Sequence, residues 1–427
     1  MSATTLTHKE KLAGMRAAAI GNALEWFDWT LYGILSVYLA RNLFDNQDPK
    51  SAMLLTLAIF AGGFIARPFG GWAFGKLGDR LGRKNTMVTT MVLMAISSVL
   101  IGLVPSYESI GAWASTLLLV LRVLQGMAHG GEAGASYTYI AEIAPADKRG
   151  LWSSSLFVSV TLGVMLATAL AAVLTMIFSE EAMNQYGWRI GFFIGGFLGL
   201  YALILRRTAQ ETDVFHNMEK ETQNQDKKSY KLSGKEKLSI ALKIVMLSAA
   251  SNVAYYTWVT FAPSTAIANG MDASGAYKAS LLAQVLCLFW LPVCGWISDK
   301  IGRKKTVIIY GIGIMLVTIP IAKIVNIEPY TLFIGQVLGL GVWALIAAIY
   351  PAVIAEQVPT HARAQGVGFV SSLSVSIFGG TAPYLQAYLA NNDLSHFYSI
   401  YVMSLGLLAV IAGFIIKETA GKDLNSI

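Results

Sequence analysis

Two ten-residue stretches decide the reading of this chain: Gly75-Lys76-Leu77-Gly78-Asp79-Arg80-Leu81-Gly82-Arg83-Lys84 and Gly295-Trp296-Ile297-Ser298-Asp299-Lys300-Ile301-Gly302-Arg303-Lys304. Both follow the spacing G-x3-D-[RK]-x-G-R-K, and each closes a long apolar run. A second signal repeats at nearly the same offset, because Glu142, Pro145 and Arg149 recur as Glu356, Pro359 and Arg363. The offsets are about 220 and about 214 residues, so two independent motifs report one internal duplication.

The sequence around these motifs is apolar. Of 427 residues, 55% are hydrophobic and only 13% charged, against roughly 25% charged in soluble domains. A water-soluble fold built from this chain would lack a polar surface. The apolar residues fall in runs of about 18–25, the length a helix needs to cross roughly 30 Å of hydrocarbon. Twelve spans follow, near 16–41, 52–75, 87–104, 112–140, 151–178, 188–205, 239–266, 279–297, 306–325, 330–355, 364–390 and 397–416. They are predicted to be helices, because a segment in lipid must satisfy its own backbone hydrogen bonds. Pro68, Pro263, Pro320 and Pro351 do not oppose this, since membrane helices tolerate proline kinks. The expected architecture is an all-α membrane protein of two pseudo-symmetric six-helix bundles, residues 1–206 and 239–427. The charged segment 207–238 links them.

Charge sets the orientation. With both termini in the cytoplasm, about 25 of the 32 basic residues fall in the tails, at the cytoplasmic helix ends and in the loops after spans 2, 4, 6, 8 and 10. The opposite loops carry Asp45, Asp48, Glu108, Glu180, Glu181, Asp272, Glu328 and Asp393 instead. The net charge of +7 is thus a topology signal; nucleic-acid binding is disfavoured because the bases are spread over many short loops. The first segment has no small-residue cleavage site and reads as a retained helix. Cys287 and Cys294 lie seven residues apart on one span, about 10 Å along a helix, which is too far for a disulfide. No metal-ligand spacing, phosphate-cradling loop or catalytic motif occurs, so neither an enzyme nor a cofactor is expected.

The repeated loops give the first group of candidate functional residues, a conformational latch of Gly75, Asp79, Arg83, Glu142, Arg149, Asp299, Arg303, Glu356 and Arg363. An Asp at a helix end, near an Arg of the same turn and the N-terminus of a neighbouring helix, can join two helices through charge-assisted bonds. The competing reading is that these charges are only positive-inside anchors.

With these motifs on the page, the chain resembles the major facilitator superfamily and, within it, the metabolite:proton symporter family. The resemblance rests on Gly21-Asn22-Ala23-Leu24-Glu25-Trp26-Phe27-Asp28, Arg67-Pro68-Phe69-Gly70-Gly71, Arg122 with Gln125-Gly126, Gly130-Gly131-Glu132 and Gly187-Trp188-Arg189. Ala61-Gly62-Gly63-Phe64, and Ile377-Phe378-Gly379-Gly380 followed by Tyr384, look like the 2-oxoglutarate permease branch. The osmolyte branch often carries a long C-terminal coiled coil, whereas this sequence stops about ten residues after its last span. The resemblance implies a secondary transporter of the inner membrane. It would work as a monomer in lipid, symporting a small organic acid with protons by alternating access, a 2-oxoglutarate-like dicarboxylate first. Proline, betaine or a shikimate-like hydroxyacid is the alternative substrate class, and a non-transporting sensor the remote one.

Charges inside a span are costly and mark pathways or pairs. Glu25 and Asp28 share a helix face, as do Arg122, Gln125, His129 and Glu132. Asp28 and Arg122 fall at similar depth and are expected to pair, either as a proton-sensitive unit with Glu25 and Glu132 nearby or as a permanent structural bridge. Arg67 is the candidate carboxylate receptor, its planar fork matching two oxygens; pairing with Glu25 or Glu132 is the competing reading. Gln125, His129, Asn252, Tyr255, Tyr256, Gln284, Tyr350 and Tyr384 are polar candidates for the pathway. Arg189 stands either at its entrance or as an interfacial anchor.

Overall fold

A computed structural model describes residues 22–45, 47–81, 83–130, 137, 140–141, 143–208, 233–358, 363–422 and 424. The described chain is helical, with no strand among these residues. The first half comprises α1 (22–34, continued after a turn at Leu35 by Ser36–Leu43), α2 (Pro49–Leu81), α3 (Arg83–Leu103), α4 (Trp113–His129), α5 (Arg149–Ile177) and α6 (Trp188–Thr208). The second comprises α7 (Gly234–Tyr255, then Tyr256–Thr260 and Ala262–Ala268), α8 (Ala273–Ile301), α9 (Arg303–Ile324), α10 (Pro329–Ala347, then Tyr350–Glu356), α11 (Arg363–Ser374, then Val375–Gly379 and Ala382–Asn391) and α12 (Ser395–Ile415). Short connecting turns are left unnumbered.

The prolines explain the breaks. Pro263 and Pro383 follow five-residue π-turns, and Pro351 follows a break at Ile349. A proline has no amide hydrogen and clashes with the preceding turn, so the wider turn absorbs the lost bond. Several helices run past the apolar windows. Ser233 opens α7 five residues earlier than hydropathy predicts, because it and Glu236 form a reciprocal capping box. Asp272 starts α8 by accepting the Gly275 amide at 2.6 Å. Part of the expected linker is therefore helix, and residues 209–232 lie outside the described residues.

Packing repeats with the duplication. In the first half α2 packs along α4 and α3 along α6; in the second, α8 packs along α10 and α9 along α12. The halves meet through α5 against α8 and through α2 against α11. Lipid tails are as apolar as leucine, so hydrophobicity does not draw these helices together; close approach does. A Cβ on Gly126 of α4 would stand 1.9 Å from the Gly63 carbonyl oxygen of α2, and one on Gly295 of α8 would stand 2.6 Å from that of Gly150 on α5. Glycine is required at both crossings.

The outer surface exposes Trp113, Phe289, Leu316 and Phe414, each more than two-thirds accessible. Such large apolar side chains facing outward are expected of a protein dissolved in lipid. By length and composition alone, seven helices among the described residues are long and apolar enough to cross a membrane. Cys287 and Cys294 are buried, unbridged residues of α8.

A closed central cluster and its two flanking seals

The interior charges sit where α1, α2, α4 and α7 converge. Glu25 of α1 pairs with Nδ1 of His129 on α4. The His129 ring meets Trp26 and Trp29 edge-on, at 5.9 and 5.1 Å between centroids. Trp26 in turn stands 5.7 Å from Tyr255 of the second half, and Phe64 stands 5.2 Å from Tyr256. These rings form one aromatic wall across the junction of the halves.

Arg67 lies against this wall. Its guanidinium carbon is 4.1 Å from the Trp29 ring and 4.2 Å from the Phe64 ring, and the residue is 7% exposed. Its Nε and Nη2 have no hydrogen-bond partner among the described residues. A buried guanidinium with two unused donors is costly in a medium that cannot supply water, and two adjacent N–H donors match a carboxylate. Of the two expected partners for Arg67, Glu25 pairs with His129 and also acts on Arg67 through its charge, and Glu132 lies outside the described residues.

Asp28 departs from its expected partner. It does not touch Arg122 directly; Gln125 stands between them. Its Nε2 donates to Asp28 Oδ2 at 3.1 Å while its Oε1 accepts from Arg122 Nη1 at 3.0 Å. Arg122 also donates to the Trp29 carbonyl at 3.3 Å and lies 3.7 Å over the Trp29 ring. Asp28 thus faces inward among helices of its own half, with Gly195 of α6 and Ser98 of α3 beside Oδ1.

The remaining sequence candidates divide. Asn252 donates to Ser374 at 3.5 Å, and Tyr350 to Ser371 at 3.2 Å, so both tie helices of the second half together. Gln284 donates to Thr168 at 3.2 Å, bridging the halves. Tyr384 is 36% exposed and stacks on Tyr388, one helical turn on. Nη1 of Arg189 donates to the carbonyls of Gly102 and Val104 at the end of α3, and its guanidinium covers Trp188, so it anchors the α3–α6 contact. Sequence reasoning missed Trp26, Trp29 and Phe64 as walls of the cluster, because aromatic residues in a membrane span usually only pack.

The halves touch on both sides of the cluster. On one side, Ser264 donates to the carbonyls of Gly33 and Ile34 at 2.8 and 2.9 Å, and Tyr277 donates to Ile34 at 2.7 Å. On the motif-bearing side, Asp299 accepts the Gly150 and Leu151 amides at 2.8 and 2.9 Å, at the N-terminal end of α5, and pairs with Arg303 at 2.9 Å. Arg149 reaches Glu356 at 2.8 Å, and Glu356 also accepts from Arg303 at 3.3 Å and from Thr419 at 2.6 Å. Among the described residues, the halves are thus joined on both sides of the cluster.

The segment after α12 belongs to this second seal and went unnoticed in the sequence. Glu418 accepts the amides of Arg303, Lys304, Thr419 and Ala420. Arg149 Nη2 donates to the Lys422 carbonyl at 3.1 Å, and Leu424 is buried with Ala141 and Ala355. Asp79, Arg83 and Arg363 lie within helices but their side chains are outside the described set, as is Glu142 entirely; Gly75 lies on α2. No group of three or more metal-ligating side chains occurs among the described residues.

Two six-helix halves enclosing a charged and aromatic centre, bonded to each other on both sides of it, define a secondary transporter of the membrane. The chain belongs to the Major Facilitator Superfamily, whose profile matches residues 18–383. It is 32% identical over 429 residues to the alpha-ketoglutarate permease of Escherichia coli, covering 99% of this chain and 97% of that protein. It is 33% identical over 425 residues to a glycine betaine/proline/ectoine/pipecolic acid transporter of Dickeya dadantii, covering 96% of this chain and 84% of that one. Among solved structures, a proton:xylose symporter bound to 6-bromo-6-deoxy-D-glucose superposes with a TM-score of 0.76 at 16% identity, covering 98% of each chain. These relatives are transporters, not enzymes.

Proposed function

We propose that this chain is a proton-coupled symporter that takes up a small organic acid across the cytoplasmic membrane, with a dicarboxylate such as 2-oxoglutarate as the first candidate. The observation that carries the reading is Arg67: buried beside the junction of the halves, with Nε and Nη2 unpartnered among the described residues. A substrate carboxylate would supply the two acceptors it lacks, while Trp26, Tyr255 and Tyr256 would border the rest of the molecule. Asp28 is the proposed proton carrier and Arg122, through Gln125, its partner; Glu25 and His129 are the second titratable pair. The halves, residues 1–206 and 239–427, would rock about the centre, with the seal at Asp299, Arg303, Arg149 and Glu356 opening when the seal at Ser264 closes. Both termini would face the cytoplasm, and the unit would be the monomer.

A second reading has its own support. The wall of tryptophans and tyrosines is the surface a quaternary ammonium group prefers, so a zwitterion could place its carboxylate on Arg67 and its cation against the rings. Relatives named for alpha-ketoglutarate and for betaine or proline match at nearly equal identity. Uptake into proteoliposomes of labelled 2-oxoglutarate, citrate, glycine betaine and proline, each with and without an inward proton gradient, separates the two. Uptake of 2-oxoglutarate that collapses with a protonophore is expected. Uptake of betaine alone would reverse the substrate assignment, and sodium dependence without proton dependence would overturn the coupling.

A further inference from the structure

We propose that Gln125 is a positioning residue that transmits the protonation state of Asp28 to Arg67 through Arg122 and the Trp29 ring. The inference deepens the functional reading above and rests on it for the roles of Asp28 and Arg67. Its own basis is a continuous buried path. Asp28 is 6% exposed, Gln125 1%, Arg122 0%, Trp29 1% and Arg67 7%. The links are Asp28 Oδ2 to Gln125 Nε2 at 3.1 Å, Gln125 Oε1 to Arg122 Nη1 at 3.0 Å, Arg122 to the Trp29 ring at 3.7 Å and Arg67 to the same ring at 4.1 Å.

The chemistry of an amide makes this path directional. A glutamine side chain has a donor end and an acceptor end held in one plane. While Asp28 is ionised it accepts only, so it fixes the amide nitrogen toward itself and thereby aims the oxygen at Arg122. A protonated Asp28 can donate, and its hold on the amide hydrogen weakens. The Gln125 plane is then released, and Arg122 loses the acceptor that steadies its guanidinium on Trp29. Because Arg67 rests on that same ring, its fork is repositioned without any contact to Asp28. In a low-dielectric interior such a network couples strongly, since no water competes for its members.

The surroundings leave Asp28 few other routes. The charged and titratable groups about it are Arg122 from α4, Arg67 from α2 by way of Trp29, and Glu25 and Tyr32 on its own helix, with Glu25 held by His129. From α3 and α6 the facing residues are Ser98 and Gly195, neither charged. The route through Gln125 is the one built from hydrogen bonds at both ends.

A substrate-free measurement tests this. The full-length protein is labelled with 5-fluorotryptophan in lipid nanodiscs, and the Trp29 fluorine signal is assigned by its loss in Trp29→Phe. In the parent protein the signal should move with pH, and part of that movement should vanish in Asp28→Asn; what remains there belongs to His129, whose ring stands 5.1 Å from that of Trp29. In Gln125→Met, which keeps the volume but removes both hydrogen bonds, the Asp28-dependent part of the Trp29 titration should be lost although the protein remains folded. Should Gln125→Met not fold, Gln125→Asn serves, since its shorter amide cannot span both partners and should shrink the titration shift severalfold. A Trp29 titration of full amplitude in either variant would overturn the inference, as would a parent signal that ignores pH. The functional reading fails separately: proteoliposomes that take up neither 2-oxoglutarate nor glycine betaine in response to a proton gradient would remove it, even with the Trp29 titration intact.

Discussion

Arg149 of the first half and Glu356 of the second meet at 2.8 Å with both side chains almost wholly buried. Each is also held by partners of its own, Arg149 by the Ala141 and Lys422 carbonyls and Glu356 by Arg303 and Thr419. A pair so fully engaged acts as the centre of a network rather than as a lone ion pair. Replacing Glu356 by Ala leaves the Arg149 guanidinium without its carboxylate and Arg303 with Asp299 alone, and breaking a buried pair from one side costs ~3–5 kcal/mol. The expected outcome is a marked fall in melting temperature in detergent, read by differential scanning fluorimetry. A melting temperature unchanged in Glu356→Ala would show that the network adds nothing to the closed state.

The contact of α5 with α8 should be equally unforgiving. A Cβ on Gly150 would meet the Gly295 carbonyl oxygen at 2.7 Å and Asp299 Oδ1 at 2.8 Å. Gly150→Val therefore has to push the helices apart at the point where Asp299 caps α5. Overpacking of this kind costs about 1–3 kcal/mol, and here it falls on the closed motif-bearing side. Cysteines placed along the α5–α8 junction should become more reactive to a membrane-impermeant thiol reagent in Gly150→Val than in the parent.

Acid should loosen the same side through Glu418. Burial alone would raise its carboxyl, but the amides of Arg303, Ala420, Lys304 and Thr419 outweigh it and hold the group below the ordinary 4.5. A carboxylate depressed in the folded state contributes stability that is complete above the unfolded value and is lost as pH falls through the folded one. The loss should therefore appear below about pH 4.5. Glu418→Gln should lower the melting temperature near neutral pH and flatten its further decline in acid. Parallel melting curves for the two proteins across that range would refute the assignment.

How far the sequence disclosed this molecule depends on which force is in play. The twelve spans and their duplication were legible because lipid imposes one requirement, apolar length, on every span alike. The Asp299–Arg303 pairing was legible too, since Gly295, Asp299 and Arg303 sit at fixed spacing across the junction of α8 and α9. Pair partners across helices were not. Asp28 and Arg122 were placed at the same depth, yet depth says nothing about which side chain fills the space between them, and Gln125, one turn from Arg122, does so. The stacking of Tyr384 on Tyr388 was hidden for a related reason. A tyrosine in a membrane helix reads the same whether its face meets the centre or the lipid. Glu418 follows the last span in a short polar stretch that resembles an ordinary tail, and only folding brings it to the start of α9.

Arg67 offers a direct test of substrate chemistry. Arg67→Lys keeps the positive charge but replaces the planar fork by a single ammonium. Hydrogen bonds to charged groups contribute about 1.5–3 kcal/mol each, so loss of one should weaken carboxylate binding by roughly tenfold to a hundredfold. Calorimetry on purified protein with the transported acid reads this. Binding as tight as the parent's would remove the bidentate role.

The proton carrier is tested by separating two transport modes. Asp28→Asn presents a side chain that resembles protonated Asp28 permanently, so it can neither take up nor release the coupled proton. Exchange of substrate across the membrane needs no net proton release, whereas accumulation against a gradient does. The expected variant exchanges substrate measurably and fails to accumulate it. A purely structural role for Asp28 predicts something different. Asn has one oxygen and one NH2 group in place of two carboxylate oxygens, and it would leave Arg122 facing only the neutral Gln125 amide with no carboxylate behind it. Both modes would then fail together, with a fall in stability of ~3–5 kcal/mol. Measuring exchange, accumulation and melting temperature on one preparation distinguishes these outcomes, and an Asp28→Asn protein that still accumulates substrate uphill would exclude Asp28 as the carrier.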